Sequence, residues 1–533
     1  MSDRILHIFI WSSSLLNIGL CVSHQGRYPN VNTVPWPLPH SMRSEQTYWL
    51  VNTANWSIVL NDVHCPIVNG AISRLKKALS DKICTYPDPL ASIAFVKEAS
   101  GFLSDLRVQL VGPCQYMPEL YMSEQYVLKI GDADDRKRAT LISDSNWGIL
   151  HGLQTFHQLL YPVSRGVFAI NSTIIHDHPV FSHRGLMIDT SNHYISVATI
   201  LRILDLMAVN KMNVLHWHIV GDRSFPFYSS SLPNLSNKGA FHRRSHVYLP
   251  ADIVSIVSFS QQRGIRVIPE FDTPGHTTSW GKGYPQLLRS CSSPEQSGSI
   301  DPTRETTYGL LAVLLTEVGS LFPDSYLHLG GRNFNATCWY MNSDASVSKF
   351  LNRSGMKDAV FALKDFHFKR LFQISQAIKK IPILWQDVIS NGVRVPHDSV
   401  IQSYENTADI YLEKLFRVGR KVLLSSCWNL SSSADWEDFY DCNLREARDK
   451  KTRSLVLGGE AWIMSDAIDG TNIISQAWTR SSAAAEKLWN PDGGSADSPD
   501  VADRLHNFRC FMLQRGYPAS PIRFGFCPCD IKF

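Results

Sequence analysis

A chain of 533 residues that is 44% hydrophobic and 19% charged can bury a large core, which excludes a disordered segment and points to two ordered domains. Its formal net charge of +4 is small for this length, and no long Lys/Arg stripe runs along it, so nothing supports nucleic-acid binding. The 11% aromatic content, with 14 Trp, suits sugar recognition, although most such rings serve a core in any fold.

Residues 1–23 combine Arg4, an apolar run from Ile5 to Val22 and the small Ser23, the pattern of a secretory signal peptide. Ser12, Ser13, Ser14 and Asn17 interrupt the run too often for a membrane anchor. No later stretch is long and apolar enough to span a bilayer, so a soluble mature protein is expected. Removing Cys21 leaves 11 − 1 = 10 cysteines, an even number that fits disulfides in an oxidising compartment. Cys527-Pro-Cys529 is one residue short of a zinc-type Cys pair. Asn-x-Ser/Thr sequons at Asn55, Asn171, Asn234, Asn335, Asn352 and Asn429 agree with the secretory pathway, ending in a lysosomal or extracellular location.

From residue 24 to 179 short alternating runs mix with helical periodicity, as in a small α+β supporting domain. A helix over 69–80 places Ala71, Ile72, Leu75, Ala78 and Leu79 on one face; a second is expected over 146–160, and half-exposed strands over 107–111 and 126–130. From 180 to 533 the pattern changes to apolar strands separated by helices. Strands are expected over 185–189, 214–220, 267–272, 326–331, 383–386, 400–404, 422–426 and 455–460, with helices over 197–210, 251–262 and 359–379 among them. Eight such strands make a (β/α)8 TIM barrel. In that fold the loops after the strands carry the site, and here they hold Asp189, Asp222, Asp272, His276, Arg332, Asn333, Trp385, Tyr404, Trp428 and Asp466.

Two groups invite chemistry. In the stretch 270–276, strand alternation sends Glu270 and Asp272 to one side, and Pro-Gly turns His276 back toward the mouth, where an imidazole beside a carboxylate can orient or share a proton. His216 and His218 share one strand face with Asp222 beyond them, which raises a metal hydrolase. No Glu stands at a metalloprotease spacing and no further ligand cluster is evident, so satisfied core histidines are the simpler expectation, with no metal and no cofactor.

The blocks HRGLMIDTSNHY (183–194), NVLHWHIVGDRSFP (213–226), PEFDTPGHTTSWG (269–281), HLGG (328–331) with Cys338-Trp339, and GGEA (458–461) with AAAEKLW (483–489) resemble β-N-acetylhexosaminidases of glycoside hydrolase family 20. The resemblance runs from the PWP entry to the C-terminal RGYPASP, so it covers nearly the whole mature chain. It implies disulfides Cys65–Cys114, Cys291–Cys338 and Cys510–Cys527, a glycan at Asn171, and a homo- or heterodimer with a related subunit. It also implies a retaining reaction on terminal N-acetylhexosamine of glycans in which the sugar's own acetamido oxygen attacks the anomeric carbon, an exception to the two-carboxylate scheme.

In that family an Asp that steadies the acetamido group and a Glu that protonates the leaving oxygen follow HLGG directly. Here those positions are Arg332 and Asn333. An amide cannot donate a proton as an acid does, and a cation opposes the developing positive charge unless its guanidinium swings outward. By the same resemblance Arg184 clamps ring hydroxyls, Trp385 and Tyr404 line the acetamido pocket, Asn429 stands for a hydrogen-bonding Tyr, Ser431 for the acid or amide after it, and Asp466 for a sugar-gripping Glu. Met464 replaces the Trp under the sugar, with Trp462 two residues away, about 6.6 Å along an extended strand and too far to substitute. The expectation is a family member impaired in catalysis. The alternatives are a non-catalytic sugar-binding protein or a partner subunit of an active homologue, then a metal-dependent hydrolase.

Overall fold

The computed structural model describes residues 33–81, 89–131, 137–289, 298–332, 339, 345–355, 359–405, 408–442 and 452–527. The signal-like residues 1–23 lie outside these. The first region carries β1 (Ser41–Asn52), β2 (Ser57–Leu60), β3 (Asp105–Leu110), β4 (Tyr126–Ile130), β5 (Arg138–Ser143), β6 (Tyr161–Ser164) and β7 (Val167–Asp177). They form one sheet in the order β1-β7-β4-β5-β3-β2, with β6 also paired to β7. Helices Pro66–Ser80 and Asn146–Leu159 appear where periodicity places them. The second packs so closely on the sheet that a Cβ at Gly152 would lie 2.2 Å from Leu141 Cδ1, and Ser145 caps it by accepting from the Gly148 N–H at 3.1 Å.

The second region closes eight parallel strands into a (β/α)8 barrel: β8 (His183–Asp189), β9 (Val214–Val220), β10 (Arg266–Phe271), β11 (Tyr326–His328), β12 (Ile381–Trp385), β13 (Val400–Ser403), β14 (Lys421–Leu424) and β15 (Val456–Ile463). Every residue of β8, β9 and β10 is buried. Helices cover the outside and side chains fill the inside, which is why parallel strands read as unbroken apolar runs. Alternation sorts the two faces: Leu215, Trp217 and Ile219 join the core under the helices, while Val214 joins the barrel floor.

That floor is made of Val214, Ile268, Ile383, Val400, Leu423 and Leu457, and Leu120 from the β3–β4 connection plugs it from below. Above it lies a layer of buried charge, and above that Met187, Trp385 and Trp462 with Tyr404 and Met464 against them. Two further buried ion pairs tie the regions together. Arg184 meets Glu124, and Lys211 Nζ donates to Asp177 Oδ2 at 2.8 Å. Cys65–Cys114 and Cys510–Cys527 are bonded, and Cys427–Cys442 forms a disulfide that the resemblance does not suggest. Cys291 and Cys338 lie outside the described residues. Among the described residues no helix is long and apolar enough to cross a membrane.

Candidate active site

Strand β11 ends at His328, and Gly330 and Gly331 then turn the chain at φ of 75° and 91°. A Cβ at Gly330 would lie 1.9 Å from Asp272 Oδ1, and one at Gly331 would lie 2.2 Å from Val388 Cγ2. Only glycine fits both the left-handed turn and the close approach. The reward is a short bond from the Gly331 N–H to Asp272 Oδ1, 2.6 Å, which delivers Arg332 at the mouth of the barrel.

The Arg332 side chain is half-buried, and its guanidinium turns inward. Its central carbon lies 5.0 Å from the Trp462 ring centre, 5.1 Å from Tyr404 and 5.8 Å from Trp385. Nη1 lies 3.6 Å from Met464 Sδ. Three ring faces within about 6 Å of one cation make a cation–π cage. The cage is braced from outside: Trp385 Nε1 donates to Glu270 Oε1 at 2.6 Å, Trp462 Nε1 to the Ser425 carbonyl at 3.0 Å, and the Tyr404 hydroxyl to Asp387 Oδ2 at 3.0 Å. Trp462 therefore shares the box with Met464 rather than standing apart from it, because β15 points residues 460 and 462 to the same inner face.

Beside the cage, His276 Nε2 donates to the Arg332 carbonyl at 3.2 Å and its Nδ1 to Asp222 Oδ2 at 3.0 Å, with Asp272 Oδ2 at 3.9 Å. Two acceptors on one imidazole hold it as the cation: against burial, Asp222 and Asp272 raise His276 to about 9. Burial pushes the Asp272 carboxyl up to about 7, although His276 opposes it. Asp222 is the carboxylate that pairs with His276, being nearer and held below its ordinary value.

Under the cage, a charge ladder runs through the barrel. His183 Nε2 meets Glu460 Oε1 at 2.7 Å, Glu460 Oε2 meets His216 Nδ1 at 2.7 Å, and His216 Nε2 meets Glu270 Oε2 at 3.1 Å. Gln402 donates to Glu460 Oε2 at 2.8 Å. Despite burial, Glu460 and Glu270 raise His216 to about 10, so both ring nitrogens donate. His218 is likewise occupied by Asp189 at 2.8 Å. His216, Glu270 and His328 approach closely, as do His218, Glu270 and Asp272. Each of these imidazoles already meets a carboxylate, His328 Nδ1 lying 3.1 Å from Glu270 Oε1, the arrangement of satisfied core histidines.

The ladder and the His276 pair together have a pH signature. His216 and His276, raised when folded, stabilise the fold fully below the unfolded value of about 6.5 and progressively less as pH climbs toward 10 and 9 respectively. Glu460, depressed when folded, stabilises above its unfolded value of about 4.3 and fails as pH falls below that. These groups should give a thermal-unfolding maximum between about pH 4.5 and 6.5. A midpoint that rises steadily from pH 6 to pH 9 would contradict it.

Not every candidate reaches this mouth. Arg184 opens β8 at the opposite end: fully buried, it bonds Glu124 Oε2 at 3.0 Å and the Phe181 and Lys211 carbonyls, so it is no ring-hydroxyl clamp but a strut between regions. Asn429 is half-buried, its Oδ1 accepting from the Ser431 N–H at 2.9 Å, and Ser431 in turn donates to the Met464 carbonyl at 2.8 Å. Asp466 is exposed, and its carbonyl accepts from His193. Asn333 lies outside the described residues, as do Cys338 and the sequon at Asn335. Asn55, Asn234 and Asn352 are exposed, whereas Asn171 sits in β7 with 9% of its surface free, leaving little room for a glycan.

Residues 181–492 match "Glycosyl hydrolase family 20, catalytic domain", and residues 35–159 match "beta-acetyl hexosaminidase like". The chain belongs to glycosyl hydrolase family 20. Within family 20 it is 40% identical to the human beta-hexosaminidase subunit beta over 529 residues, covering 95% of this chain and 92% of that one. It is 35% identical to the bovine subunit alpha over 521 residues, covering 94% and 96%. A family 20 exo beta-N-acetylglucosaminidase from Vibrio harveyi, solved with N-acetylglucosamine, shares the fold with a TM-score of 0.76 at 20% identity, covering 92% of this chain and 79% of that one. A Flavobacterium johnsoniae chitobiase does so at 23% identity, also with a TM-score of 0.76, over 91% and 72%.

Proposed function

We propose that this chain is a catalytically impaired β-N-acetylhexosaminidase-family protein whose sugar pocket is closed by its own Arg332, and that it serves as a partner subunit of an active relative. The observation carrying this reading is the guanidinium seated in the Trp385–Tyr404–Trp462 cage. By the family resemblance the acetamido group of a terminal N-acetylhexosamine would occupy that box and turn cationic as its oxygen attacks. A fixed cation about 4 Å away costs roughly 4 kcal/mol at an effective dielectric of about 20, besides filling the space. Asn333 adds the loss of the proton donor. The relatives are beta-hexosaminidase subunits alpha and beta, which supports the partner role. The three disulfides among the described residues and the signal-like start support an oxidising secretory compartment, lysosomal or extracellular.

Sugar titration tests the closed pocket. The purified protein should show no saturable binding of N-acetylglucosamine up to about 10 mM, a level at which even a ligand worth only about 3 to 4 kcal/mol registers. Arg332→Ala should open the box and gain binding. Saturation of the wild-type chain below 1 mM, on the order of −4 kcal/mol or better, would overturn the closure, and hydrolysis of a β-N-acetylglucosaminide at the rate of an active relative would overturn the impairment.

A further inference from the structure

A second cavity lies where the two regions meet, at the end of the barrel opposite the site. The helices Val197–Val209 and Pro499–Gln514 run antiparallel to the strands, so their C-terminal ends stand beside the strand beginnings, and Pro66–Ser80 and Asn146–Leu159 of the first region close over them. The space is a partly open cleft of about 340 Å³, with Leu79, Leu160, Phe168 and Phe511 in its lining. That volume is in the range of small-molecule sites.

The lining is also cationic. Arg74, Lys77, Arg263 and Arg515 contribute to it with Asp81 and Asp205, so it carries +4 − 2 = +2. Arg263 is already engaged, its Nε donating to Asp205 Oδ1 at 2.7 Å and Nη1 to the Phe259 carbonyl at 3.0 Å. Arg515 and Arg74 are not fully engaged. Among the described residues Arg515 makes a single hydrogen bond, from Nη1 to His157 Nδ1 at 3.0 Å, and Arg74 a single one, from Nη2 to the Gln262 carbonyl at 2.7 Å. Each guanidinium carries five N–H donors in a fixed fork that suits an oxyanion with two parallel bonds.

Crowding of like charges agrees with this. Burial first, then Arg263, lowers Arg74 to about 10 although Asp205 opposes the shift. Burial, then Arg515, holds His157 well below its ordinary value, so the imidazole accepts from Arg515 and adds no third competing charge.

We propose that this cavity binds a small phosphate monoester, its dianion held by the free donors of Arg515 and Arg74 and its apolar or ring body against Leu79, Leu160 and Phe511. A monoester dianion neutralises the lining charge of +2, whereas a sulfate monoester would cancel only half of it. The ligand bridges the two regions, so its binding also stabilises their contact.

Calorimetric titration and thermal unfolding of the full chain, at fixed chloride, test the site with phenyl phosphate, inorganic phosphate, phenyl sulfate and benzyl alcohol. Phenyl phosphate should saturate and raise the unfolding midpoint, phenyl sulfate should bind about 10-fold or more weakly, and benzyl alcohol should do neither. Arg515→Gln and Arg74→Gln should each weaken phenyl phosphate by about 10- to 100-fold, the loss of a charge-assisted bond. No saturation at about 10 mM, or equal affinity for phenyl sulfate, would overturn the proposal. Undiminished affinity in whichever of the two variants folds would overturn it as well; if neither folds, the comparison of phosphate with sulfate on the wild-type chain decides.

Discussion

The wild-type chain should turn over an unactivated N-acetyl-β-glucosaminide, a disaccharide with a sugar leaving group, at least about 10⁴-fold more slowly than an active relative. Two losses combine. Missing general-acid help costs about 10² to 10⁴, and a cation near the developing charge costs about 4 kcal/mol, a factor of about 10³. If independent they would multiply to about 10⁵ to 10⁷; such effects on one site do not simply add, so about 10⁴ is the expected floor. The leaving group separates them. A nitrophenyl glycoside departs readily as its anion and needs little protonation, so its turnover reports chiefly on residue 332. Arg332→Asp alone should therefore raise nitrophenyl turnover by about 10³ while leaving the disaccharide slow. The double variant Arg332→Asp, Asn333→Glu should be needed for the disaccharide. Wild-type rates near those of an active relative on either substrate would end the impairment reading. If both variants stay inert, Arg332 is not the main block, and the pocket changes at Asn429, Ser431 and Met464 suffice to stop the reaction.

Glu460→Gln is the stability change with the largest expected effect. Glu460 is buried and accepts from His183, His216 and Gln402, and these cations and donors hold its carboxyl well below the ordinary range although burial opposes them. An amide keeps the shape but removes the charge that His216 faces. Breaking a buried pair in this way leaves His216 with Glu270 as its one remaining counter-charge and costs up to about 3 to 5 kcal/mol. Loss of that size should show in the barrel's denaturant midpoint, together with a drop in the His216 titration from about 10 toward its ordinary value. A variant that unfolds with the wild-type midpoint, or whose His216 still titrates near 10, would show that Glu270 alone sustains the ladder. Replacing His216 and Glu460 together by apolar residues should recover part of the loss, because a buried pair is often no better than a well-packed apolar core.

Much of this protein is local in its sequence. Each barrel strand is a short apolar run bracketed by turn residues, and the eight expected runs coincide with β8 to β15 to within about three residues at their ends. The helices Asn146–Leu159, Val197–Val209 and Ala359–Ala377 are equally legible, since periodicity and capping act within a few residues. The two positions that the resemblance marks as departures, 332 and 333, also follow from the chain alone, because HLGG fixes their place by counting.

What the tertiary structure decided involves residues far apart. Glu460 meets His183 across 277 residues of chain and His216 across 244, and no periodicity announces a pairing of that range. Arg184 reads from its motif as a site residue, yet its guanidinium reaches Glu124 because it stands at the start of β8, and a strand's beginning and end are different places in a barrel. The same holds for Trp462: spacing along one strand sets it apart from Met464, while closure of the barrel brings both to Arg332. By itself the sequence determined which residues follow HLGG. Only the folded barrel decided that the guanidinium of Arg332 turns inward, because three aromatic faces from β12, β15 and the end of β13 converge there and offer a cation more than open water does.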